Sequence, residues 1–330
     1  MNVFTEYPLL WSSLVTTTII VTVLTCTALG LWLERKVAAR MQTRVGPNVV
    51  GIFGLLQPVA DVVKLLQKED IIPDKADKAL FNIAPVIGVV AAVGVSAVIP
   101  FSVTAIGADL DIGVLFIVAM GAVNVLPVVA AGWSSNNKFA LLGGMRAVAQ
   151  SVSYEVPLVL SSMVPVILTG TLKVSEVVKY QSDHHWLVVW PFFLGVPAFV
   201  IFFMAMLAES NRIPFDIPEA ESELVAGITT EYTGMKFALF YVGEYVHTVV
   251  ASAVAATLFL GGWDGPFAPG LHWMVLKTLG LFVFVYWVRW SLLRFRSDQL
   301  MRLCWRYLVP FSVALVAATA VYVTVFDGVK

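Results

Sequence analysis

Apolar residues in this chain dominate stretches of 18 or more, divided by short polar strings, rather than alternating residue by residue or marking one narrow helical stripe. Runs of that length match the roughly 30 Å hydrocarbon layer of a bilayer and overfill the core of a soluble domain. They predict transmembrane helices near 9–33, 79–101, 113–132, 145–170, 190–208, 235–260, 272–292 and 307–326. The expectation is an all-α, polytopic integral membrane protein of about eight transmembrane helices, organised as a single membrane domain over 1–330. Arg146, Gln150, Tyr154, Glu155 and Pro157 interrupt the fourth span. In the first loop (34–78), Gln57, Asp61, Lys64 and Lys68 recur at helical spacing among Leu, Val and Ala. That pattern predicts an amphipathic helix over 55–68, opened by Pro58 and lying along the membrane interface.

Charge then orients the spans. Roughly 17 Lys and Arg fall in the odd-numbered loops and adjoining helix ends, against about 3 in the even-numbered ones. By the positive-inside rule the odd loops are cytoplasmic and both termini lie outside, in the periplasm of a bacterial inner membrane. Only Glu6 precedes the first run, so that run is expected to stay as a helix rather than leave as a signal peptide. Charged residues make up 13% of the chain, about half the share of a soluble domain, and the net charge of -1 argues against a nucleic-acid partner. Cys26 and Cys304 form no paired-cysteine motif, so no iron–sulfur cluster or zinc is expected on this chain alone. His247 is the one histidine clearly inside a span, which argues against haem, and no glycine pattern for nucleotide binding is present.

Two acids stand where acids are expensive. Glu155 lies nine residues beyond Arg146 and Glu244 eight beyond Lys236, placing both roughly 12–13 Å below the same membrane face. A charge at the centre of a membrane helix costs about 2.5–3.5 kcal/mol, which selects for a partner, a hydrated cavity or a protonated acid. The bland alternative is a pair of neutral acids satisfied by neighbours such as Ser151 or Tyr245. The fifth loop, "AESNRIPFDIPEAESELVAGITTEY", concentrates Glu209, Arg212, Asp216, Glu219, Glu221, Glu223 and Glu231. Because Pro214, Phe215, Ile217 and Pro218 are poor choices for solvation, a folded loop packed on protein is expected. Its carboxylates stand between the cytoplasmic side and the buried acids, the order a proton relay requires.

The polar strings also carry a resemblance. "GLWLERKVAARMQTRVGPNVVGIFGLLQPVADVVKLLQKED" (30–70), "AGWSSNNKFALLGGMRAVAQSVSYEVPL" (131–158), "AESNRIPFDIPEAESELVAG" (208–227), "EYTGMKFALFYVGEY" (231–245) and "GGWDGP" (261–266) resemble a membrane-subunit family of the proton-translocating NADH:quinone oxidoreductases of respiratory complex I, the H type in bacteria and the ND-one type in mitochondria. The resemblance implies a subunit that lines the chamber admitting ubiquinone or menaquinone, with no activity alone. It implies FMN and iron–sulfur clusters on partners: peripheral-arm iron–sulfur and quinone-site subunits, small membrane subunits and antiporter-like subunits. By position it places Glu34, Arg35, Asp61, Lys64 and Arg294 around the chamber. It places Glu155, Glu209, Arg212, Asp216, Glu219, Glu221, Glu223 and Glu244 on a proton or coupling path. Leu293 and Ser297 depart from the proline and tyrosine the family pattern suggests, and "GITTEY" lacks a histidine. The alternatives are the homologous component of a membrane-bound hydrogenase-type complex and a secondary ion transporter, although the paired repeats common in transporters are not found.

Overall fold

A computed structural model describes residues 8–218 and 221–326, and every regular element among them is helical. In chain order these are α1 (Pro8–Met41), α2 (Gln57–Gln67), α3 (Lys78–Ser96), α4 (Gly113–Val123), α5 (Val125–Ser134), α6 (Lys138–Thr169) and α7 (Val174–Asp183). There follow α8 (Phe192–Glu209), a four-residue α9 (Glu221–Leu224), α10 (Gly234–Phe259), α11 (Leu271–Ser291), α12 (Ser297–Leu303) and α13 (Val309–Phe326). A π-helical turn, Cys304–Leu308, joins α12 to α13 into one 30-residue rod. Seven described helices are long and apolar enough to cross a membrane, and Phe193–Glu209 adds a shorter apolar helix. At 1.5 Å per residue that stretch spans roughly 26 Å, just short of the hydrocarbon layer.

Contacts between loops sort the chain into two faces. The odd-numbered loops meet one another: Thr233 Oγ1 donates to Glu69 O (3.2 Å), Lys236 pairs with Asp70 (2.8 Å), Asn137 Nδ2 donates to Glu231 (2.6 Å) and Phe295 N donates to Pro214 O (2.9 Å). The even-numbered loops meet likewise: Lys173 and Ser175 hold Asp109 (3.1 and 2.7 Å), and Ser182 and Trp186 donate to Asp264 (3.2 and 3.3 Å). Such a division requires α8 to cross along with the seven longer helices.

Several helices run further than hydropathy predicts, for identifiable reasons. α1 continues eight residues past position 33, because "ERKVAARM" is built of good helix formers. Its threonines do not interrupt it: Thr17, Thr18, Thr22, Thr25 and Thr27 each return their hydroxyl to the carbonyl four residues back. The interrupted fourth span becomes the 32-residue α6, starting at Lys138 under an Asn137 cap that accepts from Phe139 N (2.9 Å). Gly132 of α5 and Gly144 of α6 allow these two backbones to touch, since a Cβ on Gly132 would lie 2.7 Å from Ala140 O. The third span breaks at Asn124, between α4 and α5. The expected interfacial helix is present as α2, with Pro58 in its first turn and the apolar Val59, Val63 and Leu66 exposed.

α10 forms the centre of the bundle. It packs on α1, α3, α7, α8 and α11, and Val246, Ala255, Ala256 and Phe259 are completely buried. On lipid-facing helices the pattern inverts, leaving Leu14, Val21, Phe311, Val313 and Val321 outward. The chain is therefore a multi-pass membrane protein with a small-residue core.

Candidate functional site

Arg212 is the largest fully buried side chain among the described residues, 2% exposed, although it comes from a loop. The loop is folded inward as expected, with Phe215 and Ile217 buried and Phe215 stacked on Phe295 (5.6 Å). Gln150 of α6 fastens it by donating to Ala208 O (2.7 Å), Phe215 O (2.8 Å) and Asn211 Oδ1 (3.1 Å). What reads in the sequence as an interruption of α6 is thus the anchor of the loop beside it.

Three helices converge on the Arg212 guanidinium. Its Nε lies 2.9 Å from Glu244 of α10, and its Nη1 lies 4.0 Å from Glu34 of α1. Glu34, itself buried, also binds Arg289 of α11 through one oxygen and accepts from the Tyr245 hydroxyl through the other. The guanidinium covers the Tyr245 ring at 4.2 Å and lies 5.6 Å from that of Tyr286. Burial opposes its charge, yet Glu244, the Tyr286 and Tyr245 hydroxyls and Glu34 together hold it above the ordinary arginine range. Arg212 is permanently cationic. Two arginines therefore face two glutamates in one buried knot.

On the loop side of α1 the next residue, Arg35, pairs with Asp61 of α2 at 2.6 Å, and Gln57 Nε2 donates to the same carboxylate (3.2 Å). Lys64, one turn further, is exposed. Consecutive residues of one helix thus serve two sites: Glu34 faces the buried knot and Arg35 the surface helix. Glu223 forms a third group, clamped by Arg146 (2.5 Å) and Arg294 (3.2 Å). The Arg146 hydrogen bond, reinforced by the charges of Arg146, Arg294 and Arg296, holds its carboxyl below the usual range.

Beyond the knot the environment changes. Glu209, at the end of α8, has no arginine beside it among the described residues and lies 3.3 Å from His247 Nε2 of α10. A cavity of about 50 Å³ is lined by Glu209, Glu244 and His247 with Asn124 and Asn211, and a second of about 30 Å³ by Glu209, His247, Gly121 and Ser162. These volumes admit a few water molecules. Tyr154 is buried and Glu155 half-buried on α6, both within electrostatic range of Glu209.

The neighbours expected to satisfy the buried acids do other work. Ser151 returns its hydroxyl to Val148 O, and Tyr245 binds Glu34 rather than Glu244. Asp216 is part of the folded loop. Glu219 lies outside the described residues, as does the side chain of Glu221. The sequence reading did not assign Gln150, Tyr245, Tyr286, Arg289 or His247 to the site. Of these His247 had a usable signal, since it follows Glu244 by three residues and shares its helix face.

The family model described as NADH dehydrogenase matches residues 14–320 of the chain. The chain belongs to the NADH dehydrogenase family. Among its relatives in that family, a Dehalococcoides mccartyi (strain CBDB1) protein named as the H subunit of NADH-quinone oxidoreductase is 50% identical over 291 residues, which is 88% of this chain and 80% of the relative. A Rickettsia typhi protein of the same name is 45% identical over 334 residues, 98% of each chain. One from Anaeromyxobacter dehalogenans is 46% identical over 321 residues, covering 88% and 77%. NADH dehydrogenase family membership thus extends across every helix that contributes to the Arg212 knot and the Glu209–His247 pair.

Proposed function

We propose that the chain is the membrane subunit of an NADH-quinone oxidoreductase that forms one wall of the quinone chamber and starts the path coupling quinone reduction to proton translocation. The observation that carries this reading is the knot at Arg212, in which Glu34 of the chamber group and Glu244 of the relay group share one guanidinium. A charge change on the chamber side of α1 would be felt at Glu244 through that shared cation. Glu244 shares a cavity with Glu209 and His247, and Glu209 lies within electrostatic range of Glu155, so each successive acid has a neighbour to pass a proton to or respond to.

The loops 34–78 and 209–234 form the chamber side of the single membrane domain and face the cytoplasm of a bacterial inner membrane, with both termini in the periplasm. Quinone is the substrate. FMN and the iron–sulfur clusters belong to partner subunits, so the chain catalyses nothing alone. The exposed apolar residues of α2 and the Arg146–Glu223–Arg294 clamp suit contact with peripheral-arm subunits.

The test is Asp61→Ala in the native complex, assaying quinone reduction beside ferricyanide reduction by NADH. Ferricyanide accepts electrons upstream of the chamber and so reports assembly. A fall in quinone reduction with ferricyanide reduction intact supports the chamber; normal rates in both assays remove Asp61 from it.

A further inference from the structure

His247 lines both cavities and touches Glu209, yet it stands outside the series of acids that runs from Glu244 to Glu155. Nε2 lies 3.3 Å from Glu209 Oε1, while Nδ1 is buried and has no hydrogen-bond partner among the described residues. A structural histidine fixes one ring nitrogen as donor and the other as acceptor. Here Nε2 lies beside a carboxylate, Nδ1 is buried without a partner among the described residues, and the ring lines two cavities large enough for water. We propose that His247 is a proton-carrying residue that links Glu244 to Glu209; this rests on the relay reading above and names its missing member.

In the transfer, neutral imidazole takes a proton that originates at Glu244, with which it shares a cavity. The imidazolium then gives its Nε2 proton to the Glu209 carboxylate, leaving neutral imidazole and a carboxylic acid. Charge and protons balance at each stage, and no oxidant or reductant is involved. The titratable groups around the ring are Glu209 from α8, Glu244 from its own helix, and Tyr154 and Glu155 of α6 beyond Glu209. From α3 and α4 the cavities present only Gly88, Val95, Val114, Ile117, Val118 and Gly121, with Asn124 between α4 and α5, so no competing charge approaches from that side. Gly121 has a further part. A Cβ built there would collide with Glu209 Oε1, so the glycine makes the space in which the carboxylate reaches the imidazole.

Four variants separate the possibilities in inverted membrane vesicles carrying the intact complex, with ferricyanide reduction as the measure of assembly. His247→Gln can still donate a hydrogen bond to Glu209 but cannot carry a proton. It is expected to lower proton translocation per NADH about tenfold, less than the ~100-fold floor for a positioned acid–base group because water offers a partial bypass. Gly121→Ala removes neither titratable group and should lower it in the same direction by displacing the Glu209 carboxylate. Translocation at the unsubstituted level in His247→Gln overturns the proposal, even if His247→Phe is impaired, because that pattern marks a hydrogen-bond donor and nothing more. Glu209→Gln, measured alongside, distinguishes the two levels. If it too translocates normally, the relay reading itself fails; if it is impaired while His247→Gln is not, only the role of His247 does.

Discussion

The Arg212 knot and the Glu209–His247 pair both bury carboxylates against α10, and they treat them in opposite ways. In the knot Glu34 and Glu244 are met by Arg212, Arg289 and a tyrosine hydroxyl, so the charges are compensated and the geometry is over-determined. Around Glu209 the partner is one histidine and the remaining space is cavity. The first arrangement ties its carboxylates down with ion pairs and a hydrogen bond, and the second leaves its carboxylate beside a single ring and open space. A coupling device needs both, one to sense and one to move.

Arg212→Met should break the comparison most severely. Removing one side of a buried ion pair costs about 3–5 kcal/mol, because Glu34 and Glu244 would be left without their shared cation. We expect the ferricyanide-active complex in membranes to fall strongly; a normal amount would show that the knot is not structural. Lys277→Met tests a cation on the opposite face. Its ammonium donates to Leu260 O (2.5 Å), Gly262 O (3.0 Å) and Asp264 O and lies 4.2 Å from the centre of the Trp186 ring, which explains the shape of the "GGWDGP" string. Orphaned carbonyls cost about 1–3 kcal/mol, so faster thermal inactivation with unchanged translocation per NADH is expected.

The smallest effect belongs to Glu223, whose side chain is 44% exposed. Glu223→Gln should cost at most about 1 kcal/mol in thermal stability. Because its folded carboxyl is held below the usual range, the contribution is complete above the ordinary value of about 4.3 and disappears as pH falls through the lower folded value. An equal destabilisation at neutral and at strongly acidic pH would assign the effect to packing instead.

How much of this was legible in the sequence depends on distance along the chain. Glu155 and Glu244 stand out because a carboxylate inside an apolar run is costly wherever it is packed. The inward fold of the fifth loop was equally legible from Phe215 and Ile217, which have no reason to face water. The knot was not, since Arg289 and Glu34 are 255 positions apart and no local pattern couples them. Positional resemblance named Glu34, Arg212 and Glu244 but divided them between two groups that the fold unites. α7 was missed although Val174, Val177, Val178 and Gln181 follow helical spacing and are buried, because a ten-residue amphipathic helix is weak beside runs of twenty apolar residues. His247 was weighed only as a metal ligand; its meaning depends on Glu209, which arrives from another helix.

The most direct test of the link between the knot and proton movement is Glu244→Gln in the intact complex, reading translocated protons per NADH with ferricyanide reduction as the control for assembly. Glutamine keeps the shape and a hydrogen-bonding oxygen for Arg212 but neither titrates nor carries charge. We expect assembly to hold and protons per NADH to fall several-fold, by about 1 kcal/mol or more of lost coupling. An assembled Glu244→Gln complex with an unchanged proton ratio would contradict the account, leaving Arg212 and its glutamates as scaffold alone.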